Sequence, residues 1–241
     1  MAYEKRTYRS FMQGTGLVQF HVMIKETDLW ISAESDLKDS ALSLVRQYRR
    51  HLEHYIRKCP EFLTTLKPMD VEPDAHELIQ AMAVAGKTAG VGPMAAVAGA
   101  LAEFIGWDLI RKSKELIVEN GGDIFLASGQ ERTVSIFAGH SPFSHRIGIR
   151  IKPDRTPLGI CTSSGTVGHS LSFGKCDAVT VLSSSTALAD AAATAAGNRV
   201  QTPGEIQKGL DCLASIPGVQ GGLIIVGDSM GAWGDLELVK L

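Results

Sequence analysis

No stretch of this 241-residue chain is apolar enough to read as a membrane span. The most apolar run, about 81–105, is broken by Gly86, Lys87, Gly90, Gly92, Pro93 and Glu103, whereas a span needs roughly 20 apolar residues in succession. An excess of one charge sign is also lacking: 24 Lys and Arg face 26 Asp and Glu, a net charge of −2. That removes the electrostatic case for nucleic acid or an anionic membrane as partner. Cys59, Cys161, Cys176 and Cys212 make no CxxC pair, so neither a structural zinc site nor a disulfide framework is signalled. Reduced thiols and a cytoplasmic location are expected. Met1 to Arg6 is charged and has no apolar h-region, so no secretion signal is read there. Low-complexity linkers and short repeats are missing. Aromatics are few, at 6%, while glycine is plentiful, at 25 residues. The balance fits an α/β or α+β protein with many tight turns, as one domain over 1–241 or as two intimately packed halves.

Residues Arg6 to Gln13 and Leu17 to Ile24 flank Gly14-Thr15-Gly16 and read as a hairpin, with Thr27 to Ala33 as a third strand. Ser35 or Asp36 is placed to cap a long helix, whose apolar Leu37, Ala41, Leu44, Val45, Tyr48, Leu52, Tyr55 and Ile56 recur at the helical period until Pro60. Arg46, Arg49, Arg50, Arg57 and Lys58 lie mainly on its other faces. Pro73 is read as the start of a second helix, running to about Ala85, and Pro93 as the start of a small-residue helix to about Ile110. Short strands follow near 115–118, 124–127, 133–137, 146–151, 159–162 and 178–182. An alanine-rich helix spans about 187–196, with Ser184 or Ser185 as cap. Pro203 opens another helix to about Leu213, and strands 220–226 and 236–240 are joined by a glycine-rich turn, 227–234. Strand pairs at both ends, with helices between them, favour α+β over a doubly wound sheet.

Asp190 and Thr194 stand four apart on the alanine-rich helix, so their oxygens share one face and suit a hard cation such as Mg²⁺. A structural role suits them at least as well, with Asp190 favouring the early helix and Thr194 bonding back to a carbonyl. Gly90-Val91-Gly92-Pro93 before a helix suits phosphate, or else a helix packed closely on a neighbour. Gly121-Gly122-Asp123 allows close approach to a ligand, or forms a plain hairpin turn. Thr162-Ser163-Ser164-Gly165 offers donors to phosphate, and His169 beyond it is a candidate base. No nucleophile elbow accompanies these serines, which weakens a hydrolase reading. Ala81 to Thr88 nearly spells a phosphate-binding loop, but lacks its first glycine and reads as helix where a strand is required.

In order, Gly-rich loop, Gly-Gly-Asp-Ile, Thr-Ser-Ser-Gly, His, Val-Thr-Val and Ala-Asp-Ala-x-x-Thr resemble the ApbE-like superfamily, which includes FAD-dependent, Mg²⁺-dependent transferases that attach FMN to a protein threonine. Glu26-Thr27-Asp28-Leu29, Gly92-Pro93-Met94-Ala95, 119–124 and 161–170 are similar to its UPF0280 branch. The resemblance implies a T-fold-like α+β architecture, with an antiparallel or mixed sheet packed with helices. It implies Asp190 and Thr194 as Mg²⁺ ligands and Asp190 and His169 as catalytic residues. Gly92, Gly121, Gly122, Asp123, Thr162, Ser163, Ser164 and Gly165 then face FAD or FMN, or another small phosphate-containing ligand. An acceptor protein is implied as partner, and a homo-oligomer is compatible with the fold. Two departures stand out. Ala98 occupies the place of the transferases' lysine, and His169-Ser170-Leu171-Ser172-Phe173-Gly174 replaces their His-x-x-Asp-Pro-x-Thr-Gly loop. The competing readings are a module that binds such a ligand without transfer, and an accessory role in anaerobic sulfur assimilation toward homocysteine, in which Cys161 or Cys176 would carry sulfur.

Overall fold

A computed structural model describes residues 9, 16–166 and 173–241. Its elements in chain order are β1 (Val18–Ile24), β2 (Thr27–Ala33), α1 (Lys38–Lys58), α2 (Glu61–Thr64), α3 (Glu77–Ala89), α4 (Val97–Leu109), β3 (Leu116–Asn120), β4 (Asp123–Ala127), β5 (Arg132–Ser135), β6 (Ile147–Ile151), β7 (Leu158–Ser163), β8 (Ala178–Ser183), α5 (Thr186–Gly197), α6 (Ile206–Ser215), β9 (Val219–Val226), β10 (Ser229–Gly234) and β11 (Glu237–Lys240). Eight strands form one sheet in the order β1-β2-β3-β4-β7-β8-β9-β10, and three form a second, β11-β6-β5. Every pairing in both sheets is antiparallel, which decides between the antiparallel and mixed expectations.

The central strands are buried on both faces, so their side chains alternate between two cores rather than between core and water. Val118, Phe125, Cys161, Val179, Val181 and Ile224 point into a core shared with the helices. Ile124, Leu126, Leu158, Ile160, Leu182 and Ile225 point into a second core, roofed by Ile149 and Ile151 of the small sheet. The result is three layers: helices, large sheet, small sheet.

Several boundaries differ from the expectations. The hairpin across Gly14-Thr15-Gly16 falls largely outside the described residues; the observed first hairpin is β1–β2, turning at Lys25 and Glu26. The helix expected from Pro73 begins at Glu77, where His76 Nδ1 accepts the Leu78 amide. The small-residue segment splits into a 3₁₀ turn, Pro93–Ala96, and α4. The apolar run read between 81 and 105 is thus folded into two helices bent by 105°. Among the described residues, no single helix is long and apolar enough to cross a membrane. The glycine-rich stretch expected as a turn contains strand β10, paired with β9. All four cysteines are free thiols.

The small residues of α4 and α5 have a packing reason. A Cβ on Gly99 would lie 2.4 Å from the Thr186 carbonyl oxygen and 2.7 Å from Asp190 Cβ. Only glycine at that crossing lets the two helices approach this closely. One on Gly159 would lie 2.5 Å from Thr186 Cα, so α5 is pressed onto β7 as well.

Candidate functional site

At one end of the large sheet, four pieces of backbone converge: the β3–β4 turn, the last residues of β7, the first turn of α4 and one stripe of α5. Within α5, Leu188, Asp190 and Thr194 are half-buried and the rest are buried. The i, i+4 spacing thus puts Asp190 and Thr194 on a single half-buried stripe. The Thr194 hydroxyl makes no hydrogen bond with any described residue, so the back-bond to a carbonyl is not formed there.

Asp190 Oδ2 accepts the Gly99 amide at 2.8 Å, and the Ala98 amide also reaches the carboxylate. Helix α4 has no side-chain cap of its own, so Asp190 supplies one from 91 residues away in sequence, where the positive end of the helix dipole favours an anion. The arrangement is reciprocal. Glu103 of α4 accepts the Ala187 amide at 2.9 Å and the Ser185 hydroxyl at 3.1 Å, at the start of α5. Burial dominates both groups. It pushes the Asp190 carboxyl up to about 7, against the pull of the two amides, and raises Glu103 above the usual carboxylate range, against its own hydrogen bonds.

Cys161 lies between two of the predicted residues. Its register partner across the sheet is Asp123, and its thiol donates to the Thr186 carbonyl at 3.3 Å. Burial first, then the charges of Asp123 and Asp190, raise this thiol well above its ordinary value. Burial pushes Cys176 up to about 12. Neither sulfur is poised as a thiolate.

The turn itself is held from behind. Gly121 and Gly122 adopt φ of 72° and 108°, a left-handed path that favours glycine. The Gly122 amide donates to Glu119 Oε1 at 2.9 Å, and Asn120 Nδ2 donates to the Ala98 carbonyl at 3.1 Å, tying the turn to α4. Glu119 is fully buried. Its other oxygen receives Arg9 Nε at 2.6 Å, while Arg9 Nη1 reaches the buried Asp28 at 2.7 Å. One guanidinium therefore compensates two buried carboxylates.

The hydroxyl-rich segment ends β7 at the same level, but strand alternation turns Thr162 toward the small sheet, away from α5, so it does not join Asp190 as expected. Thr162 Oγ1 bonds Thr180 Oγ1 at 2.9 Å, and Ser163 is buried. Ser164 Oγ takes the Thr166 amide, and the Gly165 amide donates to the Cys176 carbonyl. The amides of Gly122 and Gly165 thus already have partners inside the chain. Gly92 sits against α2: a Cβ there would lie 2.0 Å from the Thr65 carbonyl oxygen. His169 lies outside the described residues. Among the described residues no three His, Cys, Asp or Glu side chains form a metal-holding group, which leaves Asp190 and Thr194 as the predicted pair.

Reading the sequence assigned no role to Arg9, Glu103, Glu119 or Asn120. A signal existed for Glu119: an acid inside Leu-Ile-Val-Glu-Asn cannot be buried without a partner.

The sequence pattern of the family described as AbpE bacteria matches residues 9–211. A UPF0280 protein of Methanocaldococcus jannaschii is 42% identical over 226 residues, covering 91% of this chain and 92% of its own. One of Methanocella arvoryzae is 40% identical, covering 95% and 92%. Among solved structures, the ApbE protein of Thermotoga maritima superposes with a TM-score of 0.64 at 11% identity, over 89% of this chain and 96% of its own. The flavin transferase ApbE of Vibrio cholerae gives 0.56 at 13%, over 90% and 97%. At these identities the structural likeness is one of fold.

Proposed function

This chain belongs to the AbpE bacteria family, and on that premise we propose that its cleft binds a flavin nucleotide through a magnesium ion and transfers FMN from FAD to a threonine of an acceptor protein. The observation that carries the reading is the half-buried face of α5 on which the Asp190 carboxylate and the Thr194 hydroxyl lie one turn apart, with Asp190 bonded to the same first turn of α4 that Asn120 ties to the two-glycine turn. The donor set fits the ion. Both groups are hard oxygen ligands, and magnesium takes few protein ligands, leaving its other positions to phosphate and water. The raised carboxyl of Asp190 is also what a nearby cation would lower. Magnesium there would neutralise the diphosphate of FAD.

The chain's own groups do the rest. Asp190 fixes the first turn of α4 against α5, and Asn120 and Glu119 fix the Gly121-Gly122 turn that bounds the ligand. Ser163, Ser164 and Gly165, at the end of β7, are the candidates to face the ligand, with Asp123 at the base of the turn, whereas Thr162 turns with Thr180 toward the small sheet. Attack by the acceptor hydroxyl on the FMN-side phosphorus forms one P–O bond, breaks the bond to AMP and releases a proton; His169 is the candidate base for that proton.

A second reading is favoured by one residue. Ala98, in the first turn of α4, presents no cationic side chain to the phosphates, which suits binding without transfer. The high-lying thiols of Cys161 and Cys176 count against the sulfur-carrying alternative. The test has two stages. Calorimetric titration with FAD, with and without Mg²⁺, is expected to give metal-dependent binding that Asp190→Ala removes. Mass spectrometry of a threonine-bearing acceptor peptide, with AMP measured, then separates transfer from binding alone. Metal-independent binding, or binding unchanged in Asp190→Ala, would sink the site assignment.

A further inference from the structure

A second, chemically opposite feature lies at the same end of the large sheet. The β1–β2 turn is at this end because Leu29 of β2 pairs with Asn120 of β3. Against that turn, α1 presents a groove of about 280 Å³ lined by Lys25, Arg46, Arg49, Arg50, Glu53 and Arg57. Residues 46, 50, 53 and 57 follow the i, i+4, i+7, i+11 rule and share one face of the helix.

Part of the groove is braced. Arg49 donates to Glu26 at 2.7 Å, Glu53 at 2.9 Å and Thr27 at 2.7 Å, and Lys25 pairs with Glu53 at 2.9 Å. Lys25 itself adopts φ of 53°, a left-handed conformation that a side chain other than glycine, asparagine or aspartate rarely takes. Glu26 and Glu53 are therefore already engaged. Arg46, Arg50 and Arg57 pair with no acid among the described residues, and they repel one another on one face of one helix. Among the described residues the acids beside the stripe, Glu26 and Glu53, are taken by Arg49 and Lys25, which leaves these three arginines without an ion pair. The arrangement calls for an anion from outside.

We propose that this groove is a binding site for a small phosphate-bearing anion carrying a di- or triphosphate group, distinct from the Asp190 cleft. Guanidinium forks match phosphate oxygens in bidentate pairs. The groove is shallow, and at about 280 Å³ it falls just under the lower end of small-molecule sites, roughly 300 Å³, which leaves room for a phosphate group and little more. The inference stands independently of the proposed transfer reaction.

The test is calorimetric titration of the full chain with inorganic tripolyphosphate at about 150 mM salt. Saturable binding is expected, weakening as salt rises, and about tenfold weaker in Arg46→Gln/Arg50→Gln, a loss of about 1.4 kcal/mol. Arg57→Gln is expected to weaken it in the same direction, while Asp190→Asn leaves it unchanged. All three arginines are exposed, so circular dichroism serves to show that the variants fold. Absence of binding, equal binding by the arginine variants, or loss in Asp190→Asn would overturn the proposal. Binding of a poly-glutamate peptide without binding of tripolyphosphate would overturn it in favour of an acidic protein partner.

Discussion

The proposed flavin cleft at α5 and the groove on α1 lie at one end of the same sheet but are built on opposite terms. The cleft gathers acids, and among the described residues no lysine or arginine is paired with Asp190. Its groups are also structural: Asp190 caps α4 and Glu103 caps α5. The groove gathers arginines on the outer face of one helix, and removing three of them breaks no hydrogen bond among the described residues. In the cleft, any ligand chemistry is tied to the packing of two helices. In the groove, binding is separable from folding. Substitutions should therefore affect stability and binding together in the first region and apart in the second.

The sharpest break comes at the helix crossing. Gly99→Ala forces a Cβ to within 2.4 Å of the Thr186 carbonyl, backbone that cannot step aside without moving α5. A loss of about 1–3 kcal/mol is expected, measured by denaturant unfolding, together with loss of FAD binding. Were Gly99→Ala fully stable, the coupling of cleft and fold would be wrong.

Next in size is a pH effect confined to the cleft. Because burial raises the Glu103 carboxyl above its ordinary value of 4.5, the folded chain holds a proton there that the unfolded chain has released. Stability from this group is complete below the ordinary glutamate range and is lost as pH rises through the raised folded value. Glu103→Gln keeps an oxygen for the Ala187 amide and removes the titration, so its stability–pH profile should be flatter. Asp190, also raised by burial, contributes a slope of the same sign that ends near 7. Arg46→Gln/Arg50→Gln should leave the profile unaltered, and an equal flattening there would erase the contrast.

What the sequence allowed to be read follows the same division. That Asp190 and Thr194 share one face was legible from helical spacing, while their role as metal ligands rested on the family resemblance; the Gly-Gly turn was legible because strand alternation stops there. The partners were not legible. Asp190 meets Gly99, and Cys161 meets Asp123, through a helix crossing and a sheet register that no local pattern encodes. Arg9 finds Glu119 across 110 residues. Strand β10 was read as a turn because Gly227, Gly231 and Gly234 are poor strand residues. Yet a Cβ on Gly231 would lie 2.7 Å from Ile206 Cγ2, so α6 packs where that side chain would stand. Tertiary packing overrode local propensity at that point.

A smaller effect is expected from metal. At pH 8, with Asp190 ionised, Mg²⁺ at ten times its dissociation constant should stabilise the chain by about 1.4 kcal/mol, read as a rise in Tm. The rise should shrink below the Asp190 value of about 7, where the proton competes for the carboxylate, and vanish in Asp190→Asn. A rise that survived in Asp190→Asn would move the cation elsewhere.

The smallest effect is the most discriminating. Arg46→Gln/Arg50→Gln removes two exposed cations four residues apart on one helix, a like-charge pair that opposes the helix by about 0.2–0.5 kcal/mol. Unfolding in the absence of phosphate should show stability unchanged or raised by that amount, although tripolyphosphate binds about tenfold more weakly. Residues kept for packing destabilise when removed. Residues that are neutral or mildly harmful to the fold, yet needed for a ligand, mark a surface maintained for binding. If the double variant instead lost a kilocalorie or more, the stripe would be holding α1 in place, and its arginines would belong with Asp190 among the residues that the fold itself requires.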